Sequence, residues 1–129
     1  MDNTSARPSA TVMIVDDELF FREMLRELLV NAGFKVVAEA LDGNDAIDKY
    51  RIHRPDITIM DIFMPEKNGI DAIKEIIAFD ANAKILIYTG LGFDEDVEVA
   101  LQAGAKEVVL KTFFPEEVTD VINRVLAGE

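Results

Sequence analysis

Apolar residues along this chain follow two alternating patterns. Short unbroken runs, rich in β-branched residues, occupy 11–15, 35–41, 56–60, 83–88 and 107–110. Runs of this kind are typical of strands covered on both faces. Between them, apolar residues recur at helical spacing over 19–32, 44–52, 69–79 and 94–103, and a fifth such stretch starts near Pro115 and continues through Val125. The pattern therefore predicts five strand–helix units.

Glycine and proline support the predicted helix ends. Gly33 lies where the first helix would be capped, Pro55 bars continuation of the second, and Gly104 stops the fourth. The apolar positions of the first helix are Leu19, Phe20, Met24, Leu25, Leu28 and Leu29. Because parallel strands need crossover connections and these are right-handed, the units predict a parallel five-stranded α/β sheet with helices on both faces.

Length and composition predict one domain. The chain has 129 residues, 50% of them hydrophobic, which suits one compact core. We expect a domain over 11–129 after a flexible tail at 1–10. No apolar stretch approaches the roughly 20 residues that span a bilayer, and the start has no signal-peptide core. The absence of cysteine excludes disulfides and thiolate chemistry. We expect a cytoplasmic protein without a membrane partner.

The charge of the chain argues against a nucleic-acid partner. The formal net charge is −12, and the 13 lysines and arginines are scattered along the sequence. Affinity for a phosphate backbone depends mainly on clustered basic residues. The acidity favours metal ions or a basic partner surface, or it serves solubility alone.

Polar residues of one chemical kind end four of the predicted strands. Asp16 and Asp17 follow the first strand, Asp61 the third, Thr89 the fourth and Lys111 the fifth. In open α/β sheets the carboxyl ends of the strands form the ligand-binding edge. Three carboxylates there predict a divalent-metal site around a phosphate-accepting aspartate, with a hydroxyl and an ammonium nearby.

Each of these residues also has a purely structural interpretation. Asp16 and Asp17 could cap the first helix, and Asp61 could be a turn residue. Thr89 is a common strand residue, and Lys111 could be solvated. The joint occurrence of the five residues at four strand ends favours the phosphoryl site.

In this order, the residues resemble the receiver domain of two-component response regulators. The resemblance covers Thr11 to about Leu126. It is carried by Asp16-Asp17, Asp61, Met64-Pro65, Asn68-Gly69, Thr89, Ala103-Gly104-Ala105 and Lys111. It implies a flavodoxin-like, doubly wound (βα)5 fold with strand order 2-1-3-4-5. Because nothing follows the fifth helix, we expect a single-domain, chemotaxis-type receiver.

The resemblance implies a role for each acid. Asp61 would accept a phosphoryl group from a sensor histidine kinase or a small-molecule phosphodonor. Mg²⁺, with Mn²⁺ as an alternative, would be bound by Asp17, Asp61 and the backbone carbonyl of Phe63, and by Asp16 through water. The domain would then be a signalling module that catalyses only its own phosphorylation and dephosphorylation.

The remaining strand-end residues would stabilise the phosphoryl group and switch the domain. These residues are Thr89, Gly90 and Lys111: the hydroxyl would donate to a phosphoryl oxygen, and the ammonium would pair with that group or with the acceptor. The switched surface would bind a downstream protein that the sequence does not name. A homodimer through the fourth helix, fifth strand and fifth helix is also implied by the resemblance.

Three positions depart from the usual receiver pattern. Val108 replaces the usual aromatic residue three positions before the lysine. This switch position is therefore degenerate, because an aromatic ring that changes rotamer is missing there. Thr112 replaces proline, and a cis bond before it would cost about 3 kcal/mol, which predicts either a trans loop or a strained one. Phe113 and Phe114 replace an aromatic–polar pair, and as exposed rings they would form a candidate partner surface.

Two other functions are compatible with parts of this pattern. A haloacid-dehalogenase-type phosphohydrolase would need an acid two residues after its nucleophile, where this chain has Phe63. A receiver fold that binds partners without taking up phosphate is the other alternative. The intact set of strand-end residues argues against it, whereas Val108 and Thr112 leave it open. Phe63 and Leu91 are bulky neighbours of the site and predict a phosphorylated state that hydrolyses slowly, although Gly90 leaves one side open.

Overall fold

The computed structural model describes residues 9–64, 66–90, 94–111 and 116–128. Its strands are β1 Thr11–Val15, β2 Lys35–Ala40, β3 Ile57–Met60, β4 Ile85–Thr89 and β5 Glu107–Leu110. Its helices are α1 Leu19–Asn31, α2 Gly43–His53, α3 Gly69–Phe79, α4 Asp94–Ala103 and α5 Glu116–Leu126. The predicted alternation is confirmed, with ends that differ by one or two residues, as frayed ends do. Predictions for residues 1–8, Leu91, Thr112, Phe113 and Phe114 lie outside the described residues.

The five strands form one parallel sheet in the order β2-β1-β3-β4-β5. The predicted doubly wound, flavodoxin-like fold class is therefore confirmed. The chain passes outward from β1 to β2 and then returns to the other side of β1. There β3 pairs with β1, and Ile59 lies opposite Ile14. This reversal between β1 and β3 is the topological switch point, and ligands of open α/β sheets bind beside it.

Two hydrophobic clusters cover the two faces of the sheet. Along β1, Met13 and Val15 belong to the cluster under α2, α3 and α4, whereas Val12 and Ile14 belong to the cluster under α1 and α5. Successive strand side chains point to opposite faces, so a strand buried on both faces needs an unbroken apolar run. Every residue of β3 and β4 is buried, which explains why these runs lack polar alternation.

The apolar surface of α1 is narrower than its sequence pattern suggests. Leu25 and Leu29 are fully buried, but Leu19 is 56% exposed and Phe20 is 69% exposed. At 3.6 residues per turn, the buried stripe through Leu25 and Leu29 continues to Phe21, while Leu19 and Phe20 fall outside it. Leu19 and Phe20 therefore recur at helical spacing without belonging to the buried face of α1.

A polar and aromatic network joins α2 to the end of α3. The Tyr50 hydroxyl donates to Asp80 Oδ2 at 2.8 Å, and Arg54 Nη1 lies 3.3 Å from the same oxygen. The Arg51 guanidinium lies 4.7 Å from the centre of the Phe79 ring. The Tyr50 hydrogen bond, followed by a backbone hydrogen bond and the Arg54 charge, lowers the pKa of Asp80 in spite of desolvation.

Among the described residues, none of the helices has the length and apolar character that a membrane span requires.

Candidate functional site

Three carboxylates meet at the switch point of the sheet. Asp16 and Asp17 follow β1, and Asp61 follows the neighbouring β3, where its N–H donates to the Val15 carbonyl at 2.9 Å. One oxygen of each carboxylate lies within 4.8 Å of the others. Asp16 and Asp61 are buried, while Asp17 is exposed. The fold thus brings together three acids from two separate parts of the chain.

The lysine at the end of β5, whose side chain is 6% exposed, joins this cluster. Lys111 Nζ lies 2.8 Å from Asp16 Oδ2 and 3.1 Å from Asp61 Oδ2. Glu18 Oε1 is farther away, at 3.7 Å. The Lys111 N–H donates to the Thr89 carbonyl at 2.8 Å, which fixes the lysine backbone beside the end of β4. The structure therefore contradicts the interpretation of Lys111 as a solvated residue.

Burial and charge act in opposite directions on the two central groups. Burial raises the pKa of Asp61 above its usual range, and the Lys111 charge offsets this only in part. Burial lowers the pKa of Lys111, but the hydrogen bond to Asp16 and the charges of Asp61 and Asp16 raise it above its usual range overall. The ammonium stays charged at neutral pH. It is the one ammonium among the described residues that lies against this group of three carboxyl side chains.

The two aspartates after β1 do not cap α1. Glu18 occupies the N-cap position, and no side chain makes a capping hydrogen bond there. Asp16 Oδ1 accepts the Glu18 N–H at 2.9 Å, while its other oxygen contacts Lys111. The Asp16 carbonyl accepts from Arg22 Nη1 at 2.8 Å. Local bonds therefore hold Asp16 in place and leave Asp17 exposed beside the cluster.

An open cavity of about 300 Å³ leads to the Asp61 carboxylate. Its lining residues are Glu18, Phe21, Asp61, Phe63, Thr89, Gly90 and Lys111. Thr89 is fully buried, whereas Phe63 is 48% exposed. Val108 does not line this cavity, and its side chain packs against the hydrophobic cluster under α2, α3 and α4.

Two residues of this cavity, Glu18 and the half-buried Phe21, were not predicted from the sequence. The Phe21 ring centre lies 4.1 Å from Lys111 Nζ. The available signal was its spacing of four residues from both Asp17 and Leu25, which places it on the buried stripe of α1 and one turn beyond the acids.

Two glycines pack closely against the backbone of the loop that begins at Asp61. The Gly69 N–H donates to the Ile62 carbonyl at 2.8 Å, and the Gly43 N–H donates to the Lys67 carbonyl at 2.8 Å. A Cβ on Gly69 would lie 2.3 Å from the Asp61 carbonyl oxygen, and one on Gly43 would lie 2.5 Å from the Lys67 carbonyl oxygen. Both glycines allow a helix start to approach backbone more closely than a side chain permits.

Comparison with known proteins decides which family has this arrangement. The model of the response regulator receiver domain matches residues 12–123. This chain belongs to the response regulator receiver family. Its relatives include the chemotaxis protein CheY of Thermotoga maritima, 47% identical over 88% of this chain and 95% of the relative. CheY of Bacillus subtilis is 46% identical over 89% of this chain and 96% of the relative.

Solved structures agree with this receiver assignment. A chain of the CheX–CheY–BeF₃–Mg²⁺ complex from Borrelia burgdorferi superposes with a TM-score of 0.90 at 32% identity, covering 95% of this receiver and 93% of that chain. A LuxR-family response regulator from Aurantimonas superposes with a TM-score of 0.90 at 38% identity, covering 94% and 87%. The predicted resemblance to CheY-like receivers is confirmed, and with it a place in two-component signalling.

Proposed function

We propose that this receiver accepts a phosphoryl group on Asp61. A carboxylate oxygen of Asp61 attacks the phosphorus of the donor, and the bond from phosphorus to the leaving group breaks with its electron pair. The product is an aspartyl phosphate, which water returns to carboxylate and inorganic phosphate. The observation that carries the proposal is the buried Asp61 carboxylate, paired with Lys111 at 3.1 Å at the base of an open cavity.

The carboxylate cluster fits a hard divalent cation. Its donors are all oxygen atoms from Asp16, Asp17 and Asp61, within 4.8 Å of one another, and Mg²⁺ prefers such ligands. Mn²⁺ suits the same ligands. We assign Asp17, Asp61 and the Phe63 carbonyl as direct ligands and Asp16 as one that acts through water. The cation supplies charge neutralisation for the phosphoryl oxygens when it is bound.

Lys111 and the end of β4 complete the proposed site. Lys111 provides a fixed positive charge toward a phosphoryl oxygen, because its ammonium is already held at the acceptor. Thr89 supplies a hydroxyl for the attached group, and Gly90 adds no side chain beside it. Uptake of the group would then change the packing of the segment that follows β4.

We further propose a sensor histidine kinase as the donor and a separate downstream protein as the reader. Support comes from the relatives, which are chemotaxis proteins, and from the CheX–CheY complex. A groove of about 460 Å³ between β5 and α5, with the 47% exposed Leu110 among its lining residues, supports the α4–β5–α5 face as the surface for that protein or for a second copy.

One alternative function has an observation in its favour. Val108 occupies the position of the usual switch aromatic and is already partly buried, which suits a receiver that binds partners without phosphorylation. The hydrolase alternative has no such support, since Phe63 stands where it needs an acid.

Mass spectrometry after incubation with acetyl phosphate and Mg²⁺ tests the proposal. We expect the native chain to gain about 80 Da, and Asp61→Asn to gain nothing. Asp48→Asn is the matched control, because Asp48 is an exposed aspartate on α2. A repeat with beryllofluoride measures occupancy without turnover. If the native chain takes up neither group, the phosphoacceptor role is refuted and the phosphorylation-independent module is favoured.

A further inference from the structure

The ammonium of Lys111 has an aromatic neighbour besides its carboxylates. The centre of the Phe21 ring lies 4.1 Å from Lys111 Nζ, and that of the Tyr88 ring lies 5.8 Å away. A cation within about 6 Å of a ring centroid is attracted by the ring quadrupole. The Lys111 side chain is only 6% exposed, so water screens this attraction little.

The Phe21 ring is held in orientation from two sides. It packs edge-on against Tyr88, with ring centres 6.4 Å apart and an interplanar angle of 80°. It makes a second edge-on contact with Phe20 at 5.3 Å and 78°. Tyr88 lies on β4 and Phe21 on α1, so the sheet and a helix together fix the position of the ring.

We infer that Phe21 is a positioning residue for phosphoryl transfer, holding the Lys111 ammonium over its ring face beside Asp61. This inference rests on the proposed function of the site. An ammonium has three N–H donors. Asp16 and Asp61 are within hydrogen-bond distance of the Lys111 ammonium, Glu18 is farther away at 3.7 Å, and the Phe21 ring covers another side of it. The ring also lines the cavity, so it keeps water from that side of the ammonium.

The role has a specific consequence for Lys111 during the reaction. A cation bound to the carboxylates would compete with Lys111 for Asp16 and Asp61, whereas it would not compete for Phe21. The ring contact therefore keeps the ammonium at the acceptor while its carboxylate partners change. The phenyl ring of Phe21 has no oxygen or nitrogen to offer a cation, so loss of the ring should affect transfer more than cation affinity.

The first test is nuclear magnetic resonance of the metal-free chain. Protons on the Lys111 Cε should appear upfield of those of the other lysines, because they lie near the face of a ring. Phe21→Leu should abolish this shift, while Phe21→Tyr and the control Val30→Ala, at a 55% exposed position of α1, should keep it. A normal Lys111 shift in the native chain would overturn the inference without any reference to phosphorylation.

The second test measures phosphorylation by acetyl phosphate and Mg²⁺ affinity on the same variants. Phe21→Leu should slow phosphorylation about tenfold, which corresponds to about 1.4 kcal/mol, within the range of a desolvated cation–π contact. Its Mg²⁺ affinity should stay within about twofold of native, as should both properties of Phe21→Tyr and Val30→Ala. If the melting temperature of Phe21→Leu is lower than that of the control, the same measurements are made on Phe21→Met.

A double-mutant cycle separates positioning from general support of the fold. In a Lys111→Met background, Phe21→Leu should cause no further loss of rate, because the ring acts through the ammonium. An equal loss in both backgrounds, or a parallel loss of Mg²⁺ affinity, would assign Phe21 a merely structural role and overturn the inference. Failure of the native chain to be phosphorylated would instead overturn the proposed function itself.

Discussion

Replacing Gly69 by alanine should damage the acceptor site more than its conservative chemistry suggests. The added Cβ would lie 2.3 Å from the Asp61 carbonyl oxygen and 2.9 Å from the Ile62 Cα. Non-bonded heavy atoms approach best at about 3.5 Å, so the two backbones must separate by about 1 Å. Because backbone atoms cannot rotate away, the movement falls on Asp61 or on the first turn of α3.

The structure gives two magnitudes for this change. Overpacking of this kind costs about 1–3 kcal/mol of folding stability, less the small gain in helix propensity that alanine brings. A displacement of about 1 Å at a reacting group costs about 10²-fold in rate. We therefore expect Gly69→Ala to stay folded with a lower melting temperature and to be phosphorylated about a hundredfold more slowly.

Gly43→Ala provides the matched comparison. Both glycines follow a capping side chain, Asp42 or Asn68, and both occupy the first position of their helix. The Gly43 clash falls on the Lys67 carbonyl rather than on Asp61. Thermal unfolding and acetyl phosphate kinetics should show comparable destabilisation but a much smaller rate loss for Gly43→Ala. Equal rate losses in the two variants, or a native rate in Gly69→Ala, would refute the argument.

Three further predictions concern the cation, the network between α2 and α3, and the product. Saturation with Mg²⁺ at about 100 times its Kd should stabilise the native chain by about 2.7 kcal/mol in thermal unfolding. Asp17→Asn should raise the Mg²⁺ concentration needed for the same stabilisation at least about tenfold. An unchanged titration would remove Asp17 from the proposed ligand set. Tyr50→Phe should cost about 1 kcal/mol at neutral pH. Because the pKa of Asp80 is lowered in the fold, this contribution is present above the unfolded pKa of the carboxyl and is lost as the pH falls through the folded one, so urea titrations of the two proteins should converge in acid. The phosphorylated native chain should have a half-life well above seconds, and Phe63→Ala should shorten it, by up to about tenfold for a barrier lowered by about 1.4 kcal/mol; a longer half-life in the variant would contradict the shielding assigned to this ring.

The sequence was sufficient for the fold and for the strand-end residues because both depend on local pattern. A strand buried on both faces must be an unbroken apolar run, and the residue after such a run in a parallel sheet lies at the ligand-binding edge. Asp61 follows a run of this kind, Thr89 is the last residue of one, and Lys111 follows the less buried edge strand β5. Their positions at this edge were therefore predictable, although the distances between their side chains were not.

The features that escaped prediction depend on how distant elements cross. Phe21 meets Lys111 only because α1 passes beside the end of β5, and no local spacing relates the two residues. The close approach of Gly69 to Asp61 depends on the path of the intervening loop. The exposure of Phe20 depends on which part of α1 touches the sheet. Each is a property of packing between elements.

The uneven burial of the strands has a consequence for hydrogen exchange. Every residue of β3 and β4 is buried, whereas in the edge strand β5 only Val109 is. Local opening costs least where few apolar contacts break. Amides of β5 should therefore exchange through a partial opening well before those of β1 and β3. Such an opening would move Lys111 away from the three aspartates, which lie at the ends of β1 and β3. Separation of the ammonium from the carboxylate cluster should therefore be more frequent than global unfolding.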